Sequence, residues 1–256
     1  MKASQNSLNR FLVFILLIGG LFSLSSCNAL WLKFSGVLHE KPELKTLSNG
    51  SKEVLYLPLH HIGREIYYKD IAHKSDSLRK LGYVIFYENV SIGVKDTNTQ
   101  VTLAKKFRKI QGDFGAANGY LDTVNHKIYG HIAYDTVYKL INQPSFNEMG
   151  LDSSFAFNVD VTLKELIHAF EAKYGAVELD SCDINTVLDA TYSCGKPDAK
   201  QKKRFRKEYV LKKRNENLAQ EIKNHHADKI FVIYGAMHFK GLVAALKESD
   251  KDWKEQ

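Results

Sequence analysis

Two hydrophobic periods alternate along this chain. Short, nearly continuous apolar runs at 53–59 (EVLYLPL), 83–89 (YVIFYEN), 154–160 (SFAFNVD) and 229–235 (KIFVIYG) read as strands. Apolar runs of this kind suit strands covered on both faces. Between them the spacing is helical. Residues 64–81 place Ile66, Ile71, Leu78 and Leu81 roughly along one stripe, with Gly82 as the stop. A second helix is expected over 99–111. A third spans 162–175, with Thr162 and Glu165 as a capping box and Gly175 at its end. The longest helical stretch is 200–226, and 239–248 closes the domain with Leu242, Val243 and Leu246 inward. Weaker patterns suggest an edge strand at 36–40 (GVLHE), a turn at 47–51 (LSNGS), a glycine-rich loop at 112–122 and a helix at 133–142. The loop carries no phosphate-cradling glycine motif. Strands alternating with helices predict an α/β fold: one domain over 51–249, with a largely parallel or mixed central sheet flanked by helices. Residues 28–50 read as linker and lead-in, and 250–256 as a solvated tail.

The first 27 residues read as a targeting segment. Lys2 and Arg10 precede an apolar run at 11–24, short for a membrane span, and then Leu24-Ser25-Ser26-Cys27. This resembles the bacterial lipobox, in which the cysteine is acylated and becomes the mature N-terminus. Cys27 would then anchor the protein to a membrane of the bacterial envelope, facing periplasm or exterior. A cleaved signal with an incidental cysteine, or an N-terminal anchor helix, are the other readings. No later segment is long and apolar enough to span. Export bears on the remaining cysteines, Cys182 and Cys194. In an oxidising compartment they can pair, closing a loop worth roughly 3 kcal/mol, or they remain two buried thiols. Their spacing matches no zinc ribbon.

Hydrophobic residues make up 44% and charged residues 25%, ordinary for a globular protein. The formal net charge of +7 is concentrated in the run KQKKRFRKEYVLKKR at 200–214. Such a run is either a solvated helix face or a contact for anionic lipid headgroups. An exported chain with no nucleic-acid-binding motif gives no reason to expect a nucleic-acid partner.

Chemistry-bearing side chains gather at three strand ends. His60 and His61 follow the strand ending near Leu59, Glu88 closes YVIFYE, and His238 follows IFVIYGAM. Ligands in open α/β sheets collect outside the carboxyl ends of strands. Two imidazoles and a carboxylate there suit a divalent metal with open coordination positions, or acid–base work without one. In the long helix Leu211, Leu218 and Ile222 form an apolar stripe that includes Asn215, with Arg214 at its margin. Arg214 could neutralise Glu88 or hold an anionic substrate group; equally, it could be one more member of a basic surface helix. Tyr67 and Tyr68 are either pocket wall or core. Asp160 reads as a helix cap, and His126, His131, His168, His225 and His226 need no catalytic role.

These residues, in this order, resemble the TraB/GumN-like family, which includes the Tiki metalloproteases. The motif Gly-x-x-His stands intact in GAMHFKG, with Gly235, His238 and Gly241. KRNENLAQEI at 213–222 is similar to the family's late Arg-containing helix, and NVDVTLKEL at 158–166 to another recurring stretch. In PLHHIG, Pro58 stands at the first motif's glycine position, so His61 rather than His60 aligns with its histidine. The resemblance covers most of 50–248. It implies a metal-dependent hydrolase of the peptidase type, with Mn, Co or Zn held by His61, Glu88 and His238, and with Arg214 and Asn215 orienting the site or a substrate carboxylate. A looser similarity to erythromycin-esterase-like folds implies His-assisted ester hydrolysis without metal. A peptide- or small-molecule-binding lipoprotein using the same pocket is the non-catalytic alternative.

Overall fold

A computed structural model of the chain describes residues 30–112 and 120–256. Its centre is a six-stranded sheet built from β1 (Lys45–Ser48), β2 (Glu53–Leu59), β4 (Val84–Tyr87), β9 (Ala156–Asn158), β10 (Lys229–Gly235) and β11 (Lys254–Glu255), in the order β11–β1–β2–β10–β4–β9. Four of these, β2, β10, β4 and β9, run parallel, and β1 lies antiparallel between β2 and β11. The fold is therefore α/β, with a mixed central sheet flanked by helices.

The strand alternation explains the layers. Val54, Tyr56, Phe86, Ile230, Val232 and Tyr234 face one side, where α7 (Arg214–Asn224) and α8 (Phe239–Ser249) contribute Leu218, Ile222, Leu242 and Leu246. The alternate residues Leu57, Leu59, Ile85, Phe231 and Ile233 face the other side and are covered by Tyr67, Tyr68 and Ile71 of α2 (Glu65–Lys80). Strands buried on both faces are what produce the continuous apolar runs. Pro58 is tolerated inside β2 because β1 ends opposite Tyr56, and beyond that point β2 is paired only with β10.

A further layer joins α3 (Thr97–Gln111), α4 (Leu163–Tyr174) and the basic helix. The long helix spans 199–224 but is not uniform: α6 (Ala199–Arg204) leads into a π-helical segment, Phe205–Lys213, before α7. The wider turn lets Phe205 stack on Tyr209 at 5.6 Å and pack against Phe170 of α4, while α7 starts with Arg214 and Asn215 buried. Cys182 and Cys194 are joined by a disulfide. The loop it closes is held by buried Arg108, whose guanidinium donates to the carbonyls of Val187 at 2.7 Å and Thr186 at 2.8 Å.

Several expected elements differ. Residues 36–40 form turns and bends rather than an edge strand, and the true neighbour of β2 is β1, inside the stretch read as a linker. That lead-in also contains helix at 30–34, here α1. Residues 133–142 are not helical. They end β7 (Ile132–Ala133) and contain a 3-10 turn at Thr136–Tyr138 and β8 (Leu140–Asn142). Strand β8 pairs with β3 (Ile62–Arg64), and β7 pairs with β6 (Lys127–Ile128), which in turn pairs with β5 (Leu121–Asp122). Most of the glycine-rich loop, 113–119, lies outside the described residues, as do the targeting segment and Cys27. The tail is not simply solvated: Trp253 is 4% exposed in the core cluster, and β11 adds a sixth strand beside β1. The capping box of α4 is present as expected, on Thr162 and Glu165.

Because Trp253 anchors that edge, Trp253→Ala should cost about 3–5 kcal/mol in urea unfolding. A solvated tail would leave the midpoint unchanged.

Candidate functional site

The register of the parallel strands brings the three strand ends together. Gly235 of β10 lies opposite Leu59 of β2, and Ile233 lies opposite Tyr87 of β4. Strand β10 is inserted between β2 and β4, which are joined by the crossover through α2. His61, Glu88 and His238 each follow one of these ends, at the crevice where such sheets take ligands.

Glu88 is the centre of the polar arrangement. One carboxylate oxygen accepts from Arg214 and the other from the backbone N–H of Gly235. A Cβ on Gly235 would come within 2.9 Å of the second oxygen, so this close approach needs glycine. Arg214 also donates to Asp160, from Nε at 2.9 Å and from Nη2 at 2.6 Å. Tyr234 donates its hydroxyl to the same carboxylate at 2.8 Å. The Asp160 side chain is fully buried. Asp160 is thus an anchor of Arg214 rather than a helix cap; the cap of α4 is Thr162. Of the three readings of Arg214, its contacts describe neutralisation of Glu88, and its burial rules out a place on the solvated helix face.

His238 is buried, with Nδ1 2.7 Å from Asn215 Oδ1, its ring edge-on to Tyr234, and Nε2 3.9 Å from Glu88. The amide oxygen requires the proton on Nδ1, which leaves the lone pair on Nε2. Asn215 reaches this position because residue 241 is glycine; a Cβ there would overlap Asn215 Nδ2 outright. Burial, reinforced by Arg214 and His61 and opposed by Glu88 and Asp160, pushes the His238 pKa down to about 4. Burial pushes the Glu88 pKa up, but Arg214, His238 and Gly235 outweigh it, so the carboxyl is held below its ordinary value. The site at neutral pH is a carboxylate–guanidinium pair beside a neutral imidazole.

His61 is exposed, with Nδ1 3.1 Å from Gln143 Oε1 and its ring 4.9 Å from Tyr120. His60 sits behind it against Gly36 and Tyr67, with its pKa lowered by burial and by His39 and His61. It is a wall residue. Tyr67 and Tyr68 are core and turn supports, donating to the carbonyls of Pro58 and His60. His225 stacks on His226 away from the site; burial lowers its pKa, opposite to the effect expected from a helix end alone. A groove of about 340 Å³ runs beside the site, lined by Leu211, Asn215, Met237, Gly241, Ala244 and Ala245 among others.

The residues missed in the sequence are Asp160 and Tyr234 as functional supports. The one available signal was that an aspartate followed an apolar strand, two residues before a better cap.

Each of the two imidazoles has Nδ1 beside a side-chain amide oxygen, which leaves Nε2 as the lone pair that a divalent metal would need. Glu88 fits less directly, since both oxygens are engaged and one of them faces a guanidinium. Among the described residues no group of three His, Cys, Asp or Glu side chains is arranged to hold a metal as it stands. No family model, curated protein or solved structure matches the chain.

Two outcomes follow from this geometry. Arg214→Ala would leave Glu88 and Asp160 as unpaired buried charges and should cost about 3–5 kcal/mol in denaturant unfolding. His238 has a folded-state pKa below its unfolded value of 6.5, so its stabilising contribution is complete above pH 6.5 and is lost as pH falls through about 4. Metal-free protein should therefore lose about 3 kcal/mol through His238 on acidification across that window. In His238→Gln this loss should be absent, which the difference between the two stability–pH curves measures.

Proposed function

We propose that this chain is a lipid-anchored cell-envelope hydrolase, acting on peptides with a divalent metal (Mn, Co or Zn) held by His238 and His61. The observation that carries the reading is the state of His238: buried, neutral and with Nδ1 fixed by Asn215, leaving Nε2 as the lone pair. A neutral imidazole with a fixed tautomer is what a metal ligand requires. The same low pKa makes His238 a weak proton acceptor near neutral pH, which favours the metal-dependent reading over metal-free ester hydrolysis. A metal bound there would polarise a carbonyl and activate water.

The protein's own groups have separate tasks. Asn215 sets the tautomer and aim of His238. Arg214, tied down by Asp160, keeps Glu88 ionised and fixed at the strand end. Glu88 provides negative charge beside the imidazoles, and ligates only if it releases one of its present contacts. The order of these residues is what supports the TraB/GumN-like resemblance, and peptidase chemistry is its implication.

The test is the metal content of residues 28–256, purified without chelator or affinity metal. A divalent ion bound stoichiometrically, and lost in both His61→Ala and His238→Ala, is expected. Asn215→Ala should weaken metal affinity roughly 10- to 100-fold. Peptide cleavage that falls in Glu88→Gln at unchanged peptide affinity would place chemistry at this site. If no metal binds after incubation with Mn, Co and Zn, and no peptide is cleaved, the reading is lost, and a non-catalytic binding lipoprotein takes its place.

A further inference from the structure

A small module stands apart from the sheet. Its core joins Leu32 and Val37 of the lead-in to Ile62, Leu121, Ile128 and Leu140. It therefore consists of residues 30–38 and 120–142 packed on β3. Its outer surface is unusually apolar. Among the described residues, six of the fourteen exposed large hydrophobic side chains lie in it, including Leu30 at 58%, Phe34 at 78%, Val124 at 84% and Val137 at 67% exposed. Leu30 and Phe34 are four residues apart in α1, on one face of the helix, while Leu32 points into the module core. Trp31 is half-buried between, with its ring 6.2 Å from Tyr129.

The position of this face in the chain says what covers it. Leu30 is three residues after Cys27. Even fully extended, three residues span at most about 11 Å. An acyl chain on Cys27 therefore holds α1 close to the lipid headgroup layer, and an uncleaved apolar segment ending at Leu24 would hold it within about 20 Å of the hydrocarbon. A short helix with exposed leucine and phenylalanine, a lysine (Lys33) beside them and adjoining Trp and Tyr rings has the composition of an interfacial contact.

We infer that residues 30–38 and 120–142 form a membrane-apposed platform, in which Leu30 and Phe34 enter the headgroup–acyl boundary of the bilayer. This rests on the reading that the N-terminal segment holds the chain at a membrane. The platform includes Tyr120, the ring partner of His61. The His61 wall of the site therefore belongs to the membrane-facing part of the molecule, and the candidate substrate is a peptide at or near the bilayer surface.

Trp31 is a native reporter, and Trp253, buried at the edge of the main sheet, is the internal control. The full mature chain, purified from membranes, is reconstituted in vesicles of phosphatidylcholine and phosphatidylglycerol with brominated acyl chains. Wild-type emission should be quenched, and Trp31→Phe should abolish the quenching. The double variant Leu30→Ser/Phe34→Ser should still pellet with vesicles but lose most of the quenching. Wild-type protein that pellets with the vesicles while Trp31 stays unquenched overturns the platform and leaves the anchor intact. Cys27→Ser separates the two ideas. If that variant pellets and is quenched like wild type, the platform stands without acylation. If wild type does not pellet at all, both are lost.

Discussion

The guanidinium of Arg214 holds the carboxyl ends of the strands in one arrangement. It bridges Glu88 after β4 and Asp160 after β9, and Tyr234 of β10 closes on the same Asp160. Two buried carboxylates without it would repel each other and lack solvent. With it, Glu88 stays ionised and both carboxylates are fixed in place. A buried ion network of this kind adds little net stability compared with an apolar core, but it is costly to break. Its consequence here is positional: the start of α7 is pinned to the sheet, which places Asn215 against His238.

Two glycines make that arrangement sterically possible. Gly235 lets its own N–H reach Glu88, and Gly241 leaves the space that the Asn215 amide occupies. Both belong to the stretch GAMHFKG, so a seven-residue segment supplies an imidazole, an N–H donor and two absences of side chain. The π-helical turn before Arg214 is the complementary device on the other helix. It allows Phe205 and Tyr209 to serve the outer layer while the next residues turn toward the site.

The two histidines are held very differently. His238 is buried, neutral and fixed, whereas His61 is exposed on a module whose core is separate from that of the main sheet. If one site uses both imidazoles, as proposed, whatever binds there is coupled to the placement of that module. If the module rests on a bilayer, the geometry of the site depends on the surface as well as on the chain.

Sequence alone determined the parallel core strands, because strands buried on both faces leave runs such as YVIFYE and KIFVIYG that no amphipathic helix would show. It also determined the α4 capping box, since Thr162 and Glu165 interact only with neighbours three residues away, and it singled out His61, Glu88 and His238 through their places after strands. It did not show β1, which is only four residues long, nor β11 and the buried Trp253, because the β1–β11 pairing joins residues more than 200 positions apart and so short an edge strand has little period of its own. It misread 133–142 as helix because three short pieces, one of them paired to the distant β3, cannot impose a strand alternation. The roles of Asp160 and Tyr234, and the pairing of Arg214 with Glu88, were decided only by tertiary structure. Each depends on which charges share a buried volume, and that is a property of packing rather than of spacing.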